Sequence, residues 1–188
     1  MFHNYEEKTV TKQTMFHGGI INVESQTVEL VNGKRATRDI VRHPGAVAVL
    51  AVKEDKLLLV RQYRKPLDAH TFEIPAGKLD GPDEIPFEAI KRELEEETDY
   101  AAKNWTKVVS FHTTPGFCDE IIHLYYATGL VELQHARPAD EDEFLDITWM
   151  EFDRVQDLIK MGLITDVKTL YAISYWETLR LKEQLRGE

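Results

Sequence analysis

Cysteine is almost missing: Cys118 is the only one in 188 residues. No intramolecular disulfide can form, which fits a reducing compartment. Cys118 is expected to be a small buried or half-buried side chain rather than a nucleophile. Long hydrophobic runs are missing as well. No stretch approaches the ~18 apolar residues of a membrane span. The opening MFHNYEEKTV has no basic flank followed by an apolar run, so it does not read as a signal peptide. Positive charge is in deficit, with 23 lysines and arginines against 33 aspartates and glutamates and a net charge of −10. That balance argues against binding the backbone of DNA or RNA. These absences predict a cytoplasmic protein with neither a nucleic acid nor a membrane as partner. An acidic chain that handles a polyanion needs a cation or local arginines to offset the repulsion.

The rest is ordinary for a globule: 43% apolar and 30% charged residues, enough for one domain with a sizeable core and a small appendage. Residues 5–43 read as strands. Ile20–Val31 alternates loosely, Asn32-Gly33 predicts a type I′ hairpin turn, and Lys34–Val41 runs back. Such a hairpin has little core of its own and must lie on the following domain or on another copy of the chain. His43-Pro44-Gly45 breaks the pattern and sets an expected boundary, with an N-terminal β region at 1–43 and a main domain at 44–188.

Within the main domain, Ala46–Val52 and Leu57–Tyr63 predict a hairpin in a central sheet, turning at Glu54–Lys56. Arg61, Arg64 and Lys65 gather positive charge where the second strand ends, either as surface charge or as a phosphate clamp. Strands are expected at Thr71–Ile74, Trp105–Phe111, Ile121–Val131 and Phe144–Phe152. Helices are expected at Asp153–Met161 and from an N-cap at Thr165 to about Leu185. Val167, Leu170, Tyr171, Ser174, Leu181 and Leu185 fall on one face of that last helix. Strands, a helix, more strands and then helices give an α+β class, an α/β/α sandwich with a mixed central β-sheet.

The stretch that carries chemistry is Gly77–Tyr100, GKLDGPDEIPFEAIKRELEEETDY. Pro86 suits the first turn of a helix that can run to about Thr98, with Asp83 and Glu84 near its positive end. Phe87, Ile90 and Leu94 share one side. Glu93, Glu96 and Glu97, spaced i, i+3, i+4, share a second. Three stacked carboxylates repel one another, and a hard divalent cation reverses that cost. A solvated acidic face with Glu88–Arg92 and Lys91–Glu95 ion pairs would carry the same residues.

The full pattern narrows the choice. Glu84, seven residues, then Arg92-Glu93-Leu94-Glu95-Glu96-Glu97-Thr98 resembles the Nudix box, G-x5-E-x7-R-E-U-x-E-E-x-G-U, with U a bulky apolar residue. Two positions depart from it. Six residues, not five, separate Gly77 from Glu84, and Asp99 stands where the box has its last glycine. That glycine ends the helix, so Asp99 is expected at positive φ. Within the Nudix superfamily, HPGAVAVLAV (43–52), LLLVRQYR (57–64), FEIPAGKLD (72–80), TTPGFCDEIIHLYYATGL (113–130) and DEDEFLDITWM (140–150) resemble the ADP-ribose pyrophosphatases. Pro115, 16 residues beyond Asp99, matches a mark of that subfamily.

The resemblance implies metal-dependent hydrolysis of ADP-ribose to AMP and ribose 5-phosphate. It implies Mg²⁺ or Mn²⁺ held by Glu93, Glu97 and the carbonyl of Ala76, with help from Glu96. Arg92 and Glu84 would orient those carboxylates. The loop at 137–143 would bring Glu141 as general base and Glu143 as a further metal contact, although spacing does not decide which does which. Arg64 matches an arginine on the pyrophosphate. Glu73 sits beside it and is expected to pair with Arg64 or Arg92. Gly77, Pro115 and Gly116 are further substrate-contact candidates. His112 is expected to be structural, since hard cations prefer oxygen. Phe2, Tyr5 and Phe16 are open candidates for stacking on adenine, with residues 5–43 packing across a homodimer. Other readings are a Nudix hydrolase of another nucleoside diphosphate sugar and a non-catalytic ADP-ribose sensor.

Overall fold

The structure is a computed structural model that describes residues 2–81, 83–138 and 144–187. The chain divides into two compact units, Met1–Gly45 with His112–Ile121, and Ala46–Phe111 with Ile122–Glu188.

The first unit is built on three antiparallel strands in the order β1 (Lys8–His17), β2 (Asn22–Glu29) and β3 (Arg35–Arg42). The expected hairpin is therefore a three-stranded sheet, because β1 pairs along the whole of β2. The turn between β2 and β3 also differs from the expectation. Gly33 alone takes a positive φ, 77°, and its N–H donates to the Leu30 carbonyl at 2.8 Å. The Asn32 side chain accepts the Lys34 N–H at 3.0 Å, which holds Asn32 out of the left-handed region that a I′ turn requires. β3 is extended by residues far along the chain. Val41 N–H donates to the Phe117 carbonyl and Asp119 N–H to the Val41 carbonyl, while Arg42 and the His43 N–H both bind the Asp119 carboxylate. Cys118 is half-buried there. The His112 Nδ1–H donates to the Glu120 carbonyl at 3.0 Å, a structural bond of the kind expected.

The second unit is a mixed sheet in the order β10-β5-β4-β9-β8, with β6 added to β5 and β7 to β4. Its strands are β4 (Ala46–Lys53), β5 (Lys56–Arg64), β6 (Ala69–Glu73), β7 (Ala76–Lys78), β8 (Tyr100–His112), β9 (Ile121–Glu132) and β10 (Leu145–Glu151). β4 runs parallel to β9 and antiparallel to β5 and β7. Covered on both faces, β4 reads as the near-continuous apolar run AVAVLAV, and Val47–Ala51 are fully buried. Ala48 and Leu50 point into one core with Leu57, Leu59, Ile74 and the helices α2 (Phe152–Lys160) and α3 (Val167–Gly187). Val47 and Val49 point into the other, with Leu58, Tyr125 and the helix α1 (Pro86–Thr98). The result is the expected α/β/α sandwich. β4 turns into β5 through Glu54 and Asp55, at φ 52° and 55°, so a I′-type turn forms here without glycine.

Two expectations for α3 are corrected. Its N-cap is Asp166, not Thr165: the Asp166 carboxylate accepts the Thr169 N–H at 3.1 Å. Its buried face is Thr169, Ala172, Ile173 and Trp176, whereas Val167, Tyr171, Leu181 and Leu185 stay exposed. The helix carries apolar residues on two sides, and the bulk of Trp176 against Phe152 decides which one docks. No helix among the described residues is long and apolar enough to cross a membrane.

α1 starts at Pro86, as expected, and ends at Asp99 with φ 60° and ψ 21°, its N–H donating to the Glu95 carbonyl. Asp tolerates this left-handed position at some cost, and glycine does not pay it. Asp99→Gly is therefore expected to raise stability by about 0.5–1 kcal/mol, read as a higher urea midpoint at unchanged m-value.

Candidate active site

α1 is oriented by burial. Ala89, Ile90 and Leu94 are fully buried against the sheet, which turns the next side of the helix towards β7. On that side Glu93 and Glu97 are themselves buried, 8% and 4% exposed. Carboxylates at that depth need partners. The Ala76 N–H donates to Glu97 Oε2 at 3.0 Å. Gly77 lies so close to Glu93 that a Cβ there would overlap its carboxyl group. Glycine is the residue that lets the β7 backbone pass.

Arg92 ties the surroundings together. Its Nη1 lies 2.9 Å from both Glu93 Oε1 and Glu96 Oε2, and its Nη2 lies 3.3 Å from Glu84 Oε1 and 3.5 Å from Asp80 Oδ2. Glu84 also accepts the Asp80 N–H, which fastens the loop before α1 to the helix. Burial would lower the pKa of Arg92, but the charges of Glu93, Asp80 and Glu84 and the hydrogen bond to Glu96 raise it. The guanidinium thus stays charged among its carboxylates. The Glu88–Arg92 and Lys91–Glu95 pairs of a plain acidic face do not form. Lys91 binds Glu88 at 3.0 Å, and Arg137 takes Glu95.

A second cluster lies at the end of β5 and β6. Arg64 grips Glu73 with two parallel bonds, Nε to Oε1 at 2.8 Å and Nη2 to Oε2 at 2.7 Å. Glu73, expected to pair with Arg64 or Arg92, pairs with Arg64. The Thr71 hydroxyl donates to the same Oε1, and Lys168 from α3 reaches the same Oε2. Burial would push the Glu73 carboxyl up. The Arg64 fork, the Lys168 charge and the Thr71 bond outweigh it and hold the group well below the usual carboxylate range. Arg64 is raised in turn, chiefly by its bond to Glu73, and the charges of Glu97 and Asp166 reach it as well. Its Nη1 makes no bond to any described residue. Arg61 and Lys65 do not join this cluster: Arg61 pairs with Asp146 and Lys65 with Asp68 at the surface.

The remaining candidates lie elsewhere. Glu141 and Glu143 fall outside the described residues. Pro115 and Gly116 belong to the first unit, where they line a cavity of about 450 Å³ with Arg38, Arg42 and Phe117. Phe2, Tyr5 and Phe16 are exposed. Lys168, Asp166 and Thr169 are not legible in the sequence, because Lys168 and Glu73 stand 95 positions apart and no local spacing links them.

The donor set suits a hard divalent cation. Glu93 and Glu97 offer carboxylate oxygen from successive turns, and the missing Cβ at Gly77 leaves room for the Glu93 carboxyl group beside β7. Among the described residues no three His, Cys, Asp or Glu side chains already form a cage. Such a cation would take the rest of its oxygen shell from beyond these two side chains, as Mg²⁺ commonly does with substrate and water.

The chain is similar to known proteins over most of its length. The model of the NUDIX domain matches residues 41–170. The chain is 47% identical to the ADP-ribose pyrophosphatase of Bacillus subtilis (strain 168), with 97% of each chain covered. It is 46% identical to the methanol dehydrogenase activator of Bacillus methanolicus, again over 97% of each. Among solved structures, an ADP compounds hydrolase superposes with a TM-score of 0.81 over 100% of this chain and 98% of its own, at 21% identity.

Proposed function

The chain belongs to the Nudix family of hydrolases, and from that premise we propose that it cleaves the pyrophosphate of ADP-ribose to AMP and ribose 5-phosphate. The observation that carries this reading is the pairing of two buried carboxylates, Glu93 and Glu97, with Arg64, an arginine that feels the charge of Glu97 and whose Nη1 bonds to none of the described residues. One side suits a metal and the other suits a phosphate. The relatives support the choice of substrate.

In this reading Mg²⁺ or Mn²⁺, held by Glu93, Glu97 and the Ala76 carbonyl, supplies charge neutralisation on the pyrophosphate and activation of water. Arg64 binds a phosphate oxygen through Nη1 while Glu73 keeps its plane fixed. Arg92 holds Glu93 and Glu96 in orientation, with Glu84 bracing it. Glu141 takes the proton of the attacking water and Glu143 adds a metal contact. Pro115 and Gly116 face the terminal ribose, and the chain works as a homodimer through its N-terminal strands. If Glu141 is the base, Glu141→Gln lowers kcat by about 10²–10⁴-fold with little change in KM. A larger loss of kcat in Glu143→Gln reverses the two assignments.

The test of the function is product analysis with ADP-ribose, ADP-glucose, GDP-mannose, NADH and diadenosine polyphosphates, in Mg²⁺, in Mn²⁺ and in EDTA. AMP and ribose 5-phosphate formed from ADP-ribose faster than any product of the other compounds, and abolished by EDTA, is the expected result. A different best substrate keeps the Nudix chemistry and discards ADP-ribose. Tight ADP-ribose binding without turnover of any compound points to a sensor.

A further inference from the structure

We propose that Lys168 is a positioning residue for Arg64, acting through the carboxylate of Glu73 that the two cations share. The function it serves rests on the hydrolase reading, in which Arg64 binds the pyrophosphate. The positioning itself rests on how the first turn of α3 docks.

That turn carries its own cap and is fastened to the end of β6 at two points, through Thr169 and Lys168. Asp166 caps the helix by accepting the Thr169 N–H. The Thr169 hydroxyl oxygen accepts the Ile74 N–H at 3.0 Å, one residue beyond Glu73. Lys168 Nζ, on a side chain only 12% exposed, sits between Glu73 Oε2 and Asp166 Oδ1, the latter at 3.0 Å. Glu73 therefore has no oxygen left for substrate: Oε1 takes Arg64 and Thr71, and Oε2 takes Arg64 and Lys168. Its work is to hold the plane of the Arg64 guanidinium, and Lys168 holds Glu73.

The charges add a second argument. Arg64 and Lys168 balance Glu73 and Asp166, so the corner is neutral as a group. Asp166 Oδ2 is buried and has no hydrogen-bond partner among the described residues, and the charge of Asp166 already acts on Arg64. Removing the Lys168 charge leaves Arg64 alone to balance two carboxylates, with Glu97 near enough to be felt. An arginine drawn towards two carboxylates is a poorer partner for a polyanion, and the corner becomes net negative where the substrate is negative. A lysine that only packed α3 against the sheet would not depend on charge in this way.

The test is Lys168→Met, Lys168→Arg and the double variant Asp166→Asn/Lys168→Met in the full-length protein. The asparagine keeps the helix cap and restores neutrality. For Lys168→Met, KM for ADP-ribose is expected to rise about tenfold with kcat within about threefold, the pattern of lost binding rather than lost chemistry. Lys168→Arg is expected within about twofold of wild type, and the double variant to recover most of the KM. In the ligand-free protein, the NMR resonance of Arg64 Nε–H is expected to move in Lys168→Met and return in the double variant. An unchanged KM and an unmoved resonance in Lys168→Met would overturn the proposal. So would a loss that Asp166→Asn fails to repair, since that marks a packing role. If Lys168→Met does not fold, Asp166→Asn alone decides: a lower KM supports the charge argument and a higher one sinks it. Should the wild type turn over none of the compounds, the hydrolase reading fails by itself, and the Arg64 resonance still tests the positioning.

Discussion

Glu97→Gln is expected to abolish most turnover while leaving the fold intact. Glutamine keeps the length of the side chain and an oxygen for the Ala76 N–H. What it removes is one negative charge from a pair of buried carboxylates on neighbouring turns of α1. If those carboxylates hold the cation, kcat falls by roughly 10²–10³-fold, equivalent to about 3–4 kcal/mol of barrier. Stability moves the other way or not at all, because like charges at i, i+4 destabilise a helix by about 0.2–0.5 kcal/mol. Steady-state rates in Mg²⁺ and a thermal melt of the same preparation decide the matter. Near-normal rates would take Glu97 out of the metal site. A large drop in Tm would make it a structural residue.

Gly77→Ala is expected to do nearly as much harm by a different route. The added Cβ would occupy the space of the Glu93 carboxyl group. Either Glu93 turns away, or β7 parts from β4, where Gly77 pairs with Val47. Overpacking of this kind costs about 1–3 kcal/mol of stability. The sharper expectation concerns the metal. Affinity for Mn²⁺, followed by electron paramagnetic resonance without substrate, falls by at least about tenfold, and kcat/KM by about 10²-fold. A variant that loses stability but binds Mn²⁺ as before would separate Glu93 from the cation.

These two residues also mark what a sequence can disclose. The place of Glu97 beside Glu93 is legible because both stand on one helix, where a spacing of three and four residues is itself geometry. The α1 boundaries, Pro86 at its start and the left-handed Asp99 at its end follow from local rules of the same kind. The role of Gly77 against Glu93 is legible only in three dimensions, since the two belong to different elements. The docking face of α3 is not legible in the sequence, because Val167, Tyr171, Leu181 and Leu185 offer as regular a stripe as the one that packs. Periodicity cannot choose between two stripes; Trp176 in contact with Phe152 does. The turns show the same limit. Asn32-Gly33 carries the stronger I′ signal, yet Glu54-Asp55 adopts that geometry, because strand register overrides local preference there.

The extension of β3 by residues 117–119 bears on how the protein is made. A ribosome delivers the three N-terminal strands first, and domains tend to fold as they emerge. Here the first unit cannot be finished in that order. Val41 has its backbone partners at Phe117 and Asp119, and Arg42, which binds Glu24 within the sheet, finds its second carboxylate 77 positions downstream. Until that segment leaves the exit tunnel, the backbone around Val41 lacks these partners, and most of the second unit's sheet has been synthesised in the meantime. The last bonds of the earliest-made unit therefore wait on late synthesis, and a nascent chain stalled before residue 117 presents an unfinished β-edge for chaperones or for another nascent copy to meet.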